Sequence, residues 1–205
     1  MALISNGTTI FDAGAVASGF GGSMVFIKKL TASSDATLSF VNGSSGVTLD
    51  GTYKEYIFTF NNVHPETDDR GLQVGFRDGS TDYDATKTSS TFRAYHQEDG
   101  GESSLAYDTG LDQAQQTTFQ QISVDCGNDN DQGLSGYLHL FNPADTTFVK
   151  HFIARTNAQS AQSTAQNFDY YTAGYCNVTA AIDAVQFKMR TGNIDAGDIC
   201  LYGIA

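Results

Sequence analysis

Apolar and polar residues alternate with a period of two along most of this chain, and no other feature constrains its fold as strongly. In the stretch 55–60, for example, Tyr56, Phe58 and Phe60 share one face of an extended segment. The same spacing recurs in Leu72, Val74 and Phe76, in Leu138 and Leu140, in Phe148, Phe152 and Ala154, in Val185, Phe187 and Met189, and in Ile199 and Leu201. Successive side chains of a strand point to opposite faces, so each stretch predicts a strand with one buried face.

Short runs rich in Gly, Asn, Asp and Ser separate the alternating stretches. Examples are "NGSSG", "RDGSTD", "GNDNDQG" and "TGNIDAGD". These residues supply the positive φ angles and the side-chain-to-backbone hydrogen bonds that turns need. About ten strands with one-sided alternation, joined by such turns, predict an all-β fold. The expected architecture is two antiparallel sheets packed face to face, as in a β-sandwich or jelly roll.

Two stretches do not follow the alternation. The segment "TGLDQAQQTTFQ" at 109–120 begins with Thr109, a residue that can cap a helix, and it predicts a short helical turn. The segment "TNAQSAQSTAQNFD" at 156–169 is polar throughout, and it predicts a long exposed loop.

The chain divides into an arm and one domain. Residues 1–23 alternate only weakly and contain Gly19, Gly21 and Gly22, so they predict a glycine-rich N-terminal arm. We expect that arm to lie against the body of the protein or against a neighbouring subunit. Residues 24–205 contain no linker and no repeat of fixed period, and they predict a single β-sandwich domain.

The charge balance argues against several partners. Lys and Arg total 11 and Asp and Glu total 23, which leaves a formal net charge of −12. A surface this acidic repels the phosphates of nucleic acids and anionic lipids, so no nucleic-acid partner is expected. No apolar run reaches the roughly 18 residues of a membrane span, so membrane insertion is not expected. The first residues lack the basic region of a signal peptide, and none is predicted.

The three cysteines are Cys126, Cys176 and Cys200. An odd number in otherwise strand-like sequence favours free, packed thiols in a protein assembled in a reducing compartment. A Cys176–Cys200 bridge is the alternative, and the sequence does not establish it.

One turn carries the residues of a candidate metal site. The stretch "DCGNDNDQG" places hard oxygen ligands close together, and calcium prefers such ligands. The candidate ligands are Asp125, Asn128, Asp129 and Asp131, with Asn130 between the last two. Their spacing does not match a calcium loop with a closing glutamate, so a turn without metal remains open. Calcium is the only cofactor that the sequence suggests.

Nothing in the sequence favours catalysis. The densest carboxylate cluster, Glu98, Asp99 and Glu102, surrounds a Gly-Gly pair, whereas a glycosidase needs two carboxylates held about 5 to 9 Å apart. No nucleophile elbow is present. The four histidines have no metal-ligand spacing, and His139 and His151 are expected to face outward from strands. We therefore predict a non-enzymatic protein without catalytic residues.

Three stretches together resemble a known family. They are "GTYKEYIFTFNNVHPETDDRGLQVGF", "GLSGYLHLFNPADTTFVKHFIARTN" and "AIDAVQFKMRTGNIDAGDICLYGIA". Their order is similar to that in small virion structural proteins of tailed, notably marine, bacteriophages. The last stretch is the most specific, and it matches at Gly192, Asn193, Ile194, Ala196, Gly197, Leu201, Tyr202 and Gly203. Arg190 and Thr191 stand where small serines are expected.

The resemblance implies a capsid decoration or fibre subunit that self-associates and binds other phage capsid or tail proteins. Its location would be the virion, assembled in the cytoplasm of the bacterial host, and it implies no catalytic residue. A homo-oligomer with cyclic symmetry, a trimer for instance, is the expected assembly. The resemblance does not distinguish head from tail.

A lectin-like tail adhesin that binds host surface glycan is the alternative function. Either a glycan site or a subunit contact would use outward aromatic side chains, since these combine apolar area with a polar tip. The candidates are Tyr137, Tyr170, Tyr171 and Tyr175.

Overall fold

The structure is a computed structural model that describes residues 3–6, 8–12, 15–16, 23–160 and 164–205. Within these ranges it is all-β, with no helix. The strands are β1 (Leu3–Ser5), β2 (Thr8–Asp12), β3 (Ala15–Val16), β4 (Met24–Thr31), β5 (Leu38–Val41), β6 (Glu55–Pro65), β7 (Leu72–Arg77), β8 (Lys87–Gln97), β9 (Ser103–Tyr107), β10 (Gln113–Gln116), β11 (Gln120–Gln121), β12 (Leu134–Phe141), β13 (Lys150–Gln159), β14 (Gln166–Cys176), β15 (Ala184–Met189) and β16 (Ile194–Ile204).

Two antiparallel sheets form the body of the sandwich. The larger has nine strands in the order β10-β8-β14-β13-β12-β6-β16-β4, and β9 also pairs with β8. The smaller has four strands in the order β11-β7-β15-β5. The predicted antiparallel β-sandwich is therefore confirmed.

Aromatic rings from both sheets meet in the core. Phe187 of β15 packs edge-to-face against Phe58 and Phe60 of β6, with ring centroids 5.4 Å and 5.2 Å apart, and against Phe40 of β5. All four rings are buried. The alternation that places these rings on inward faces is thus what joins the two sheets, because each sheet buries its apolar face against the other.

The N-terminal segment is described only in part. The strands β1, β2 and β3 form a small antiparallel sheet. The glycines at 19, 21 and 22, on which the predicted arm chiefly rests, lie outside the described residues. The expected contact of this arm with the body or a neighbour stays a prediction.

Two local predictions are wrong. Residues 109–120 contain no helical turn and instead contribute β10 and β11. Most of residues 156–169 belongs to the long strands β13 and β14. These two strands pair continuously, from Lys150 opposite Cys176 to Gln159 opposite Asn167. The prediction failed because the outward side chains of this stretch are polar, which suggested a loop. Its inward side chains, such as Ala158 and Phe168, are buried, and the strand pairing extends through it.

Phe148 was expected on the inward face with Phe152 and Ala154, and this is wrong. Phe152 and Ala154 are buried, but Phe148 is 70% exposed and precedes the first residue of β13. Its backbone N–H donates to Asp145 Oδ1 in a turn, so the strand register does not reach it.

The three cysteines are buried and free, as predicted, and Cys176 and Cys200 form no bridge. Burial raises the pKa of the Cys126 and Cys176 thiols to about 12, since the thiolate would be poorly solvated there. Both thiols are therefore protonated and pack as small apolar groups.

Replacement of Phe187 by alanine tests the aromatic core. We expect Phe187→Ala to lower the free energy of unfolding by about 3 to 5 kcal/mol, because it removes the ring that three others contact and leaves a cavity. Urea unfolding measures the change. Phe148→Ala is the matched control, and the exposure of that ring predicts a change below about 0.5 kcal/mol. Equal losses in the two variants would contradict the account.

Candidate functional site

The outer face of the nine-stranded sheet carries an unusual concentration of large apolar side chains. Cross-strand pairing aligns these side chains in two adjacent rows across the sheet. We call the two rows the aromatic face; one row contains Phe26, Tyr202, Ile57, His139 and Ile153, and the other contains Tyr137, Arg155, Tyr171, Phe92 and Tyr107.

Several of these side chains remain open to solvent. Phe92 is 43% exposed, Tyr137 41%, Ile153 46% and Phe26 57%. Most other large apolar side chains in the described part of the chain are buried, so the exposure is concentrated on this face. Contiguous exposed apolar surface is typical of interaction sites in folded proteins, so this face is the candidate site.

A fixed cluster stands at the centre of the aromatic face. The Phe92 and Tyr171 rings stack with centroids 4.7 Å apart, and the Arg155 guanidinium lies 4.8 Å from the Tyr171 centroid. Arg155 also donates two hydrogen bonds to Asp169, at 3.0 Å and 2.7 Å, and the Tyr171 hydroxyl donates to the same carboxylate. The Arg155 guanidinium lowers the pKa of Asp169, so this charge pair is in place at neutral pH.

Charge is nearly balanced on this surface. Arg155 is paired with Asp169, and at the opposite edge Lys29 Nζ lies 3.1 Å from Asp198 Oδ2. The chain as a whole carries a formal charge of −12. Most of the negative charge therefore lies elsewhere, and the aromatic face is the part of the surface where a like-charged molecule can approach with little repulsion.

The outer face of the four-stranded sheet is different. There the outward positions of β7, β15 and β5 hold polar side chains such as Gln73, Lys188, Gln186 and Ser39, opposite to the buried Phe187. Tyr83 and Phe119 also cover Gly75 on this side, and the Lys188 ammonium lies 4.3 Å from the Phe119 ring centroid. The large sheet has the more extensive exposed apolar surface of the two, which is the composition of an interface core.

The predicted aromatic binding residues do not all reach this surface. Tyr137 and Tyr171 lie in the aromatic face, and Tyr175 lies on the same outer side beside His151, with ring centroids 5.8 Å apart. The outward placement of Tyr170 is wrong, since its ring is buried and its hydroxyl donates to the Val124 carbonyl. Neighbouring residues of one strand face opposite sides, so Tyr170 and Tyr171 cannot both point outward.

Phe92, Ile153 and Phe26 were missed as surface residues. Ile153 and Phe26 lie between apolar neighbours, so both faces of their strands are apolar and the alternation does not reveal which side is buried. Phe92 lies between Thr91 and Arg93 and has the spacing of an inward residue. The outward placement of His139 and His151 was predicted, and both lie on this outer side.

The predicted calcium ligands point in different directions. Asp125 faces Arg93, which also pairs with Asp108, and burial followed by the charge of Asp69 raises the pKa of the Asp125 carboxyl. Asn128 Nδ2 donates to the Glu66 carbonyl.

The other two predicted ligands make different contacts. The Asp129 carbonyl bonds to His64 Nε2, and Asp131 lines a separate cavity. No group of three or more His, Cys, Asp or Glu side chains in the described ranges could hold a metal ion. Calcium binding stays a prediction from sequence.

The carboxylate cluster at 98–102 lies in the turn between β8 and β9. Glu98, Asp99 and Glu102 are exposed, and the Asp99 carboxylate accepts a hydrogen bond from the Gly101 N–H. Among the described residues no helix is long and apolar enough to cross a membrane.

Comparison with known proteins adds no relative. No family model, no curated protein and no solved structure matches the chain significantly.

Two buried lysines flank Cys176 on the inner face of the large sheet. Lys87 and Lys150 are its cross-strand partners on either side. Lys87 Nζ donates to the Ala85 carbonyl at 2.7 Å, and Lys150 Nζ donates to the Thr179 carbonyl at 2.7 Å. Burial lowers the pKa of both lysines because the ammonium form is poorly solvated there.

The pH dependence of stability tests this burial. The folded protein releases the Lys87 proton at a lower pH than the unfolded chain, whose lysine has a pKa near 10.5. Between the folded-state pKa of Lys87 and that value, the unfolded chain binds more protons than the folded protein. The free energy of unfolding therefore rises with pH across this range. We expect Lys87→Met to flatten this rise in urea unfolding curves recorded from about pH 7 to 10.

The matched control for this experiment is Lys54→Met, at an exposed lysine. It should leave the wild-type pH dependence in place. A difference between wild type and Lys87→Met that stays constant with pH would show that Lys87 is not destabilised by its burial.

Proposed function

We propose that this protein is a non-enzymatic structural component of a bacteriophage virion that self-associates through the aromatic face. The observation that carries the proposal is the exposed, nearly charge-balanced aromatic face on an otherwise acidic molecule. The resemblance of the three sequence stretches to phage virion proteins supports placement in the particle, where it would bind capsid or tail proteins.

A second copy of the chain is the partner that the charge distribution favours. Two molecules that each carry a charge of −12 repel over most of their surfaces. Contact through the aromatic face keeps the acidic surfaces apart and desolvates few unpaired charges. A strongly basic partner would instead be drawn to the acidic regions outside this face.

The aromatic face suits the core of a larger contact. Its two rows hold ten strand positions, and each covers about 4.8 Å between strands by about 7 Å along a strand, which gives on the order of 330 Å² per subunit. A standard protein interface buries about 800 Å² on each partner. The proposed contact therefore also includes neighbouring positions of the large sheet around the aromatic face.

The symmetry of the oligomer depends on which surfaces of the two copies are in contact. If the aromatic faces of two copies pack against each other, the contact is isologous and the product is a two-fold dimer. The trimer expected at the sequence level requires contact between two different surfaces. The mass of the oligomer distinguishes these arrangements.

A charge placed in the aromatic face tests self-association. We expect wild type to sediment as an oligomer and Ile153→Glu to sediment as a monomer, because the variant buries an unpaired carboxylate in the contact. Sedimentation velocity over a concentration series measures both. Gln73→Glu, which adds the same charge to the outer face of the small sheet, should retain the wild-type oligomer.

Circular dichroism and thermal melting should show that Ile153→Glu keeps the fold, since its side chain is 46% exposed in wild type. A wild-type monomer at high concentration, or equal effects of Ile153→Glu and Gln73→Glu, would contradict the proposed contact.

Placement in the virion has its own test. Antibody raised against the protein should label purified particles of a phage that encodes it, as seen by immunogold electron microscopy. Label on the head indicates a decoration protein, and label on fibres or the tail tip indicates a fibre or adhesin subunit. Particles that carry none of the protein would refute the virion assignment.

A further inference from the structure

A polar cavity of about 480 Å³ opens beside the aromatic face, at one end of the large sheet, and residues of β6, β12, β13, β16 and the turn before β12 line it. Its volume falls within the roughly 300 to 1,000 Å³ of small-molecule sites. Its polar lining consists of Asn62, His64, Asn130, Asp131, Gln132, Ser135, Asn157, Gln159 and Asp195. None of these residues belongs to the aromatic face, and of the predicted calcium ligands only Asp131 lines the cavity.

The lining is rich in amide side chains. An amide presents both a donor and an acceptor, as does each hydroxyl of a sugar, so the two groups are matched in hydrogen bonding. No Lys or Arg lines the cavity, and two carboxylates do, which disfavours phosphate, sulfate and carboxylate ligands. No Phe, Tyr, Leu, Ile, Val or Met side chain lines it either, which disfavours lipids and apolar peptides.

Irregular backbone shapes the cavity. Asn62 has a positive φ of 47°, and the β16–β6 pairing shifts register on both sides of Ala196. The β12–β6 pairing shifts between Leu134 and Gly136. Bulges of this kind re-aim side chains and concentrate next to functional sites, and here three strands contribute them to one place.

Gly197 is part of the same irregular backbone. It has a φ of 110°, and a Cβ added there would lie 2.5 Å from the Asn62 carbonyl oxygen. The close approach of these two chains therefore requires glycine, and it holds Asn62 in position at the cavity wall.

Several polar groups around the cavity are available to a ligand. The side chains of Asn130, Asp131, Gln159 and Asp195 make no hydrogen bond to the described part of the chain. Others are held in place, since Asn157 Nδ2 donates to Asn167 Oδ1 at 2.7 Å. The groups already held in place lose less conformational entropy on binding than the free ones, and the free ones have unused donors and acceptors for a ligand.

We infer that this cavity binds a neutral saccharide, with the amides and the carboxylates of Asp131 and Asp195 pairing with its hydroxyl groups. The binding needs no self-association, because every lining residue belongs to one copy of the chain. It gives the protein a glycan-binding surface different from the tyrosines that the sequence suggested.

The test has two steps. The protein is first applied to a printed array of neutral and anionic glycans and short peptides. ¹⁵N-labelled protein is then titrated with maltohexaose, cellohexaose, mannohexaose and chitohexaose and followed by nuclear magnetic resonance. We expect neutral glycans to be retained on the array. We expect the hexasaccharides that bind to shift the side-chain amide signals of the cavity residues, Asn62, Asn130, Gln132, Asn157 and Gln159.

A pair of variants controls the experiment. Asn130→Ala combined with Asp131→Ala should weaken binding about tenfold or more, the loss expected for one or two hydrogen bonds. Thr81→Ala combined with Asp82→Ala removes similar polar groups from another exposed turn and should leave the affinity unchanged. The inference is overturned if no neutral glycan binds, if binding is confined to anionic glycans or peptides, or if the two double variants behave alike.

Discussion

The contact between the inner faces of the two sheets is the interaction on which the rest of the structure depends. Phe187 of the small sheet lies between Phe58 and Phe60 of the large one, and Phe76 meets Phe152 further along with ring centroids 5.1 Å apart. Burial of these rings removes a large apolar area from water, which is the dominant favourable contribution to folding. Successive side chains of a strand point to opposite faces, so the residues between the buried ones lie on an outer face. The same packing therefore determines which side chains are on the outer surface of each sheet.

That assignment gives the sandwich two dissimilar outer faces. The small sheet presents polar side chains such as Gln73 and Lys188. The large sheet presents rings and aliphatic groups around Arg155, whose charge is paired with Asp169. An exposed apolar sheet face is a liability unless it is covered, so its presence is most simply explained by a partner that covers it. At the end of the same sheet, backbone bulges replace this apolar surface with an amide-lined cavity. The proposed self-association and the proposed ligand binding would therefore use neighbouring but chemically distinct surfaces.

The fold class follows from the sequence because buried residues at alternate positions leave few other solutions, and the inward placement of Val185, Phe187 and Met189 is confirmed. Local polarity was a poorer guide where both faces of a strand carry similar residues. Tyr170 and Tyr171 are chemically alike, and only the register of β14 shows which one is buried. The cavity was out of reach for another reason. Its residues come from four separate strands and a turn, and the bulges that gather them depend on long-range pairing that no local pattern reveals.

The most direct measurement of the central claim is site-specific photocrosslinking of the intact chain. A benzophenone amino acid placed at Tyr137, in the aromatic face, should crosslink to another copy at residues of β4, β12, β13 or β14, as identified by mass spectrometry. The same probe placed at Gln73, on the small sheet, should give no such product. Crosslinks of equal yield from both positions, or none from Tyr137 at concentrations where the protein is oligomeric, would contradict the claim that the aromatic face joins copies of this chain.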